Sequence, residues 1–124
     1  MVPDEPGRLF RDAWIAGVHK HFPGAPKPGY VTPWEQMPDW ERSCAAATQD
    51  LIQALVRSSG NAALNLEREQ KGQFVAACWN AHIYRHIPDP KPSYVAPWED
   101  LPPWQKEVDA DIFDAVATSA SDAR

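Results

Sequence analysis

The chain has little cysteine, and what it has is not arranged for chemistry. Cys44 and Cys78 are the only two in 124 residues, neither belongs to a Cys-x-x-Cys pair, and both fall on apolar faces of a helical period. They read as buried thiols that act as small hydrophobes. No run of Lys or Arg forms a basic stripe and the net charge is −5, so a phosphate backbone finds no electrostatic partner here. No stretch approaches the roughly 20 consecutive apolar residues of a membrane span. The opening residues, Met1-Val2-Pro3-Asp4-Glu5-Pro6, are acidic and lack the basic and apolar regions of a secretory signal. A cytoplasmic protein that engages neither nucleic acid nor membrane is expected. The motifs Gly-x-Ser-x-Gly, Gly-x-Gly-x-x-Gly and the P-loop are missing, which counts against an enzyme, and no cofactor is expected. Convincing strand alternation is missing too. Tyr30-Val31 and Tyr94-Val95 are too short to be more than a bridge between loops.

What the chain does have is proline, tryptophan and repetition. Most of its thirteen prolines lie in two clusters, Pro23 to Pro38 and Pro88 to Pro103, with aromatics between them. Residues 26–40 laid over 90–104 agree at ten of fifteen positions, at an offset of 64. One extra residue near Gly24-Ala25 moves the upstream offset to 65, and the six tryptophans then form three matched pairs: Trp14/Trp79, Trp34/Trp98 and Trp40/Trp104. The same register sets His21 on His86 and Pro23 on Pro88. A helix–loop–helix unit built around Pro-Trp-Glu-x-x-Pro-x-Trp therefore occurs twice.

Apolar residues at 9, 10, 13, 14, 17 and 18 predict an amphipathic helix that Pro23 stops. Phe74, Val75, Cys78, Trp79, His82 and Ile83 are its counterpart, stopped by Pro88. Asn61 after Ser59-Gly60 is a candidate cap for an earlier start of that helix, and Gly72 weakens its continuity. The Pro-rich loops predict extended Tyr30-Val31 and Tyr94-Val95. Pro38 and Pro102 fit the first position of a second helix in each copy. One runs through Trp40, Cys44, Ala47, Leu51, Ile52 and Leu55, the other through Trp104, Val108, Ile112, Ala115 and Val116. The expectation is an all-α fold: two helix–loop–helix repeats related by a pseudo-twofold axis, with Pro-rich extended loops, packed as one four-helix domain. Repeat one covers 8–58, a linker 59–71, repeat two 72–118, and a fraying C-terminal tail 119–124.

Tyr94-Val95-Ala96-Pro97-Trp98-Glu99-Asp100-Leu101-Pro102-Pro103-Trp104-Gln105-Lys106-Glu107-Val108-Asp109 resembles the RyR domain. Small stand-alone members of that family occur in bacteria and phages. Trp98, Glu99, Pro102, Trp104 and Gln105 match the phage-type pattern, and the helix with Trp79 and His82 is similar to the family's preceding helix. The resemblance covers most of 74–116 and, more weakly, 9–56. Trp98 stands where the receptor repeats have tyrosine, and Ala110 where they have arginine after the Asp. The first copy replaces the charged helix start with Arg42-Ser43-Cys44-Ala45-Ala46, so only the second keeps the family's Lys and Asp. The resemblance implies a helical, non-catalytic interaction module.

Three groups of residues are candidate sites. Lys27, Tyr30 and Trp34, with Lys91, Tyr94 and Trp98, give each loop a cation, a phenol and an indole, suited to packing or to stacking and cation–π contact with a ligand. Lys106 joins them as a charge at the second helix start. His82 and His86 lie four apart on one helix and His21 matches His86, so these three are the metal or pH-sensing candidates, although no His-Glu-x-x-His pattern supports them. Glu35 and Glu99 read as helix-start acids favoured by the helix dipole. The leading expectation is a non-enzymatic interaction module that binds a protein partner, or a second copy of itself, through the Pro-Trp-Glu loops. The alternatives are a receptor for a nucleotide-like or other anionic aromatic small molecule, and a His-based metal site.

Overall fold

Each Pro-rich segment ends one helix and starts another. A computed structural model describes residues 5–122, and among these it has four α-helices packed against one another and no strand. The first, α1 (Arg8–His21), begins on Gly7 at φ 92 and ends where Phe22 turns extended ahead of Pro23. Helix α2 spans Asp39–Ser58, α3 spans Arg68–His86 and α4 spans Pro103–Asp122. Among the described residues no helix is long and apolar enough to cross a membrane.

The loops depart from the expected extended path. Pro28–Val31 and Pro92–Val95 are short 3₁₀ turns, closed by the Tyr30 N–H on the Lys27 carbonyl and the Tyr94 N–H on the Lys91 carbonyl, each at 2.9 Å. Proline restrains only the residue before it, so Thr32 and Ala96 take the extended ψ while the Tyr-Val pairs stay coiled. Second 3₁₀ turns follow at Trp34–Gln36 and Trp98–Asp100. Both copies thus place the same kinds of element at matched positions.

Pro38 stands one place earlier than expected, at the cap of α2 with ψ 153, where its carbonyl accepts the N–H groups of Glu41 and Arg42. The Pro102 carbonyl does the same for Gln105 and Lys106, and Pro103 takes the first helical position. Asn61 caps nothing in α3. It adopts φ 73, donates its N–H to the Val56 carbonyl beyond the end of α2, and leads into a 3₁₀ turn at Ala62–Asn65. The true start of α3 is a reciprocal capping box between Glu67 and Gln70, inside the stretch expected to be linker. The expected tail is also helical as far as Asp122, with Ala120 buried, because that turn still covers the core; residues 123–124 lie outside the described residues.

Helix α4 is the centre of the packing and touches the other three helices. Its Val108, Ile112, Phe113 and Val116 are fully buried, in one core with Phe10 of α1, Ile52 and Val56 of α2, and Val75 of α3. Close approach to α1 depends on Gly17, where a Cβ would lie 2.8 Å from a Val108 methyl. The matched position in the second copy is His82, which therefore cannot share this crossing. An ionic cluster ties α3 to α4: Arg68 reaches Glu107 and Asp111 at 2.9 and 2.6 Å, and Lys71 reaches Asp114 at 2.9 Å.

Candidate functional site

The two Pro-rich loops face a common cavity of about 570 Å³, of the size that takes a small molecule. Its walls are dominated by repeat-matched aromatics: Trp14 with Trp79, Trp40 with Trp104, and Tyr30 with Tyr94. Helical spacing carries the first pair inward from α1 and α3, and the second pair from the first turns of α2 and α4. The 3₁₀ turns bring the tyrosines to the same place. Four of the six tryptophans therefore converge.

The two halves of this cavity are finished differently. On the repeat-one side Trp14, Phe22 and Tyr30 close around Trp104, with ring centroids 4.9 to 6.1 Å from the Trp104 ring. The Trp14 indole N–H donates to the Tyr30 carbonyl at 2.8 Å. On the other side Trp79 stacks on Phe10 at 5.4 Å, and among the described residues Trp40, Trp79 and Tyr94 make no aromatic contact with one another. Tyr94 is 44% exposed.

Polar groups in the walls are few and specific. Arg11 is 5% exposed, and its guanidinium donates from Nε and Nη2 to the Thr32 carbonyl at 3.1 and 2.9 Å, and from Nη2 to the Gly29 carbonyl at 3.3 Å. Its Nη1 lies 3.7 Å from the Glu41 carboxylate. Burial lowers the Arg11 pKa against the pull of Glu41, and burial raises that of Glu41 against the pull of Arg11. Asp109 also stands in the wall and is 6% exposed, and among the described residues no hydrogen bond or charge partner acts on its carboxylate. Burial pushes its pKa up to about 8. Lys27, Asn80, Ser93 and Gln105 complete the polar lining, and Asn80 donates to the Ala96 carbonyl at 3.0 Å.

The candidates chosen from sequence separate into different environments. Lys27, Tyr30 and Tyr94 line the cavity. Lys91 sits 5.9 Å above the Tyr94 ring, as Lys27 does above Tyr30, but is not part of the wall. Trp34 and Trp98 are away from it. Trp34 is 4% exposed and its indole N–H donates to Glu5 at 2.7 Å, so it is an anchor. Trp98 packs on Gly72 of α3, with the Lys106 ammonium 5.5 Å from its ring centre. Arg42 takes the same post over Trp34 at 6.0 Å, so the helix-start cation is common to both copies.

The histidines do not assemble. His21 is hydrogen-bonded to Asp111 at 2.7 Å, His82 to the Cys78 carbonyl of its own helix at 2.7 Å, and His86 is exposed. Among the described residues no group of three or more His, Cys, Asp or Glu side chains is placed to hold a metal. Both cysteines are free, and burial raises their pKa values, that of Cys44 to about 11, which keeps the thiols protonated and unreactive. Glu35 pairs with Arg8 at 2.7 Å.

Sequence reasoning singled out the loops and missed Arg11, Glu41 and Asp109 as cavity residues. The signal was present: Asp109 is a charge between the apolar positions Val108 and Ile112, where the first copy has Ala45. No known protein family, no curated protein and no solved structure matches this chain.

Proposed function

We propose that this protein is a non-enzymatic small-molecule receptor of the RyR-domain type, whose ligand occupies the cavity between the two Pro-rich loops. One observation carries this reading: four tryptophans and two tyrosines, contributed in matched pairs by both copies, surround a single cavity of about 570 Å³. Aromatic walls with a small number of fixed polar groups are the usual make-up of ligand pockets. The Pro-Trp-Glu motifs offer less to a protein partner, because Trp34 is buried and Trp98 is packed against Gly72. An anionic ligand is disfavoured as well. Glu41 and Asp109 stand in the wall, Arg11 is already engaged by carbonyls and Glu41, and Lys27 is exposed.

The test is saturable quenching of tryptophan fluorescence, with a rise in Tm, across a panel of aromatic amines, guanidino compounds and nucleotides. A response that disappears in Trp79→Ala supports the cavity. Failure of every member to quench, or quenching that Trp79→Ala leaves intact, overturns it.

A further inference from the structure

The unequal finish of the two halves points to the ligand's chemistry. In repeat one the Arg11 guanidinium is held by the Gly29 and Thr32 carbonyls and faces Glu41. The matched positions in repeat two are Ala76 for Arg11, Ser93 for Gly29, Ala96 for Thr32 and Gln105 for Glu41. All four of these line the cavity. Repeat two therefore keeps the backbone of the cradle without an arginine, and the Asn80 amide donates to its Ala96 carbonyl at 3.0 Å.

We infer that the open half of the cavity binds a guanidinium group, taken from a small guanidino compound, in the place that Arg11 fills in repeat one. The inference rests on the receptor reading above. Three further observations support it. Asp109 is a carboxylate without a hydrogen-bond partner among the described residues, more than nine-tenths buried, in the cavity wall, and its counterpart in repeat one is the apolar Ala45. A carboxylate there supplies a counter-charge that the neutral Gln105 does not. The Ala96 carbonyl, equivalent to the acceptor of Arg11, accepts one donor from Asn80, and a carbonyl has room for a second, as the Thr32 carbonyl accepts two N–H groups from Arg11. Trp40, Trp79 and Tyr94 stand free of one another around the space, and a planar guanidinium stacks on such faces while its fork of N–H groups meets oxygen acceptors. Burial holds Asp109 protonated near neutral pH, so a bound cation would draw off that proton as it pairs with the carboxylate.

Agmatine titrated into the full chain tests the idea, followed by tryptophan fluorescence and thermal melts. The expected result is saturable quenching and a raised Tm, with putrescine and the ureido analogue of agmatine each binding about tenfold more weakly or worse, because one lacks the fork and the other the charge on it. Asp109→Asn weakens agmatine binding about tenfold or more. Ala76→Arg supplies the guanidinium from within, so it melts higher and no longer binds agmatine. Should Ala76→Arg fail to fold, Gln105→Glu serves, since restoring the carboxylate of Glu41 tightens agmatine binding. Capped arginine amide separates the sources: tighter binding of agmatine supports a free guanidino compound, and tighter binding of the capped residue overturns that choice of source. Equal binding of putrescine or the ureido analogue overturns guanidinium recognition. Silence towards agmatine while another panel member quenches overturns it too and leaves the receptor reading standing; silence across the whole panel removes both.

Discussion

The Trp98 indole occupies the space into which a side chain at position 72 would project. Gly72 lies within α3 at a buried position, where helix propensity alone favours alanine. A Cβ there collides with the far edge of a large ring that is itself backed by Lys106. Gly72→Ala is expected to lower stability by about 1–2 kcal/mol, the overpacking outweighing roughly 1 kcal/mol of propensity. Urea denaturation reads the difference, and a stabilised variant would show that Trp98 swings aside freely.

The two Pro-Trp-Glu tryptophans carry unequal loads. Trp34 is 4% exposed and hydrogen-bonded to Glu5, whereas Trp98 is only partly buried. Trp34→Ala is expected to cost about 3–5 kcal/mol and Trp98→Ala about half as much. Paired chemical melts measure the order; equal losses would contradict it.

Arg11 fastens the first loop to α1. Lysine in its place keeps a charge and loses the planar fork that serves two carbonyls at once. Arg11→Lys is expected to cost about 2–3 kcal/mol, because a buried acceptor loses its donor and Glu41 loses its partner. Thermal unfolding compared with an exposed control, Lys20→Arg, checks it.

Stability should depend on pH through Asp109. Its folded pKa is about 8 against an ordinary 3.8, so between those values the folded chain holds a proton that the unfolded chain has released. Stability then falls as pH rises across that window, by at most about 1.4 kcal/mol per unit. Glu41, also raised by burial, adds a slope of the same sign, while Arg11 opposes the shift on Glu41. Asp111 acts in the opposite sense: burial pushes it up, but hydrogen bonds from Arg68 and His21 outweigh that, so its contribution is lost only as pH falls below the carboxylate range. Asp109→Asn is expected to raise Tm at pH 8 and to leave a shallower decline from pH 5 to 8. An unchanged profile would mean that Asp109 ionises freely.

Much of the secondary structure was legible because its causes are local. Pro23 and Pro88 stop helices wherever they stand, and an apolar period of three to four residues makes a helix face in any context. The repeat and its matched tryptophans were visible as identities. Local rules also misled at the margins: Tyr30 and Tyr94 are coiled because their N–H groups close on Lys27 and Lys91, and Asn61 ends α2 instead of starting α3.

Sequence alone determined an all-helical chain with two copies of one helix–loop–helix motif, since periodicity, proline and repetition act over a few residues. Only the tertiary structure decided which aromatics face a common space. Trp34 and Trp79 look alike as members of matched pairs, yet one is sealed by Glu5 and the other walls the cavity. The α1–α4 crossing is set at Gly17 and Val108, next to the buried Asp109, and the engagement of Arg11 is set by how α1 meets the first loop and Glu41 of α2. Burial and charge pairing arise between elements from eighteen to about ninety positions apart, and no local pattern encodes them.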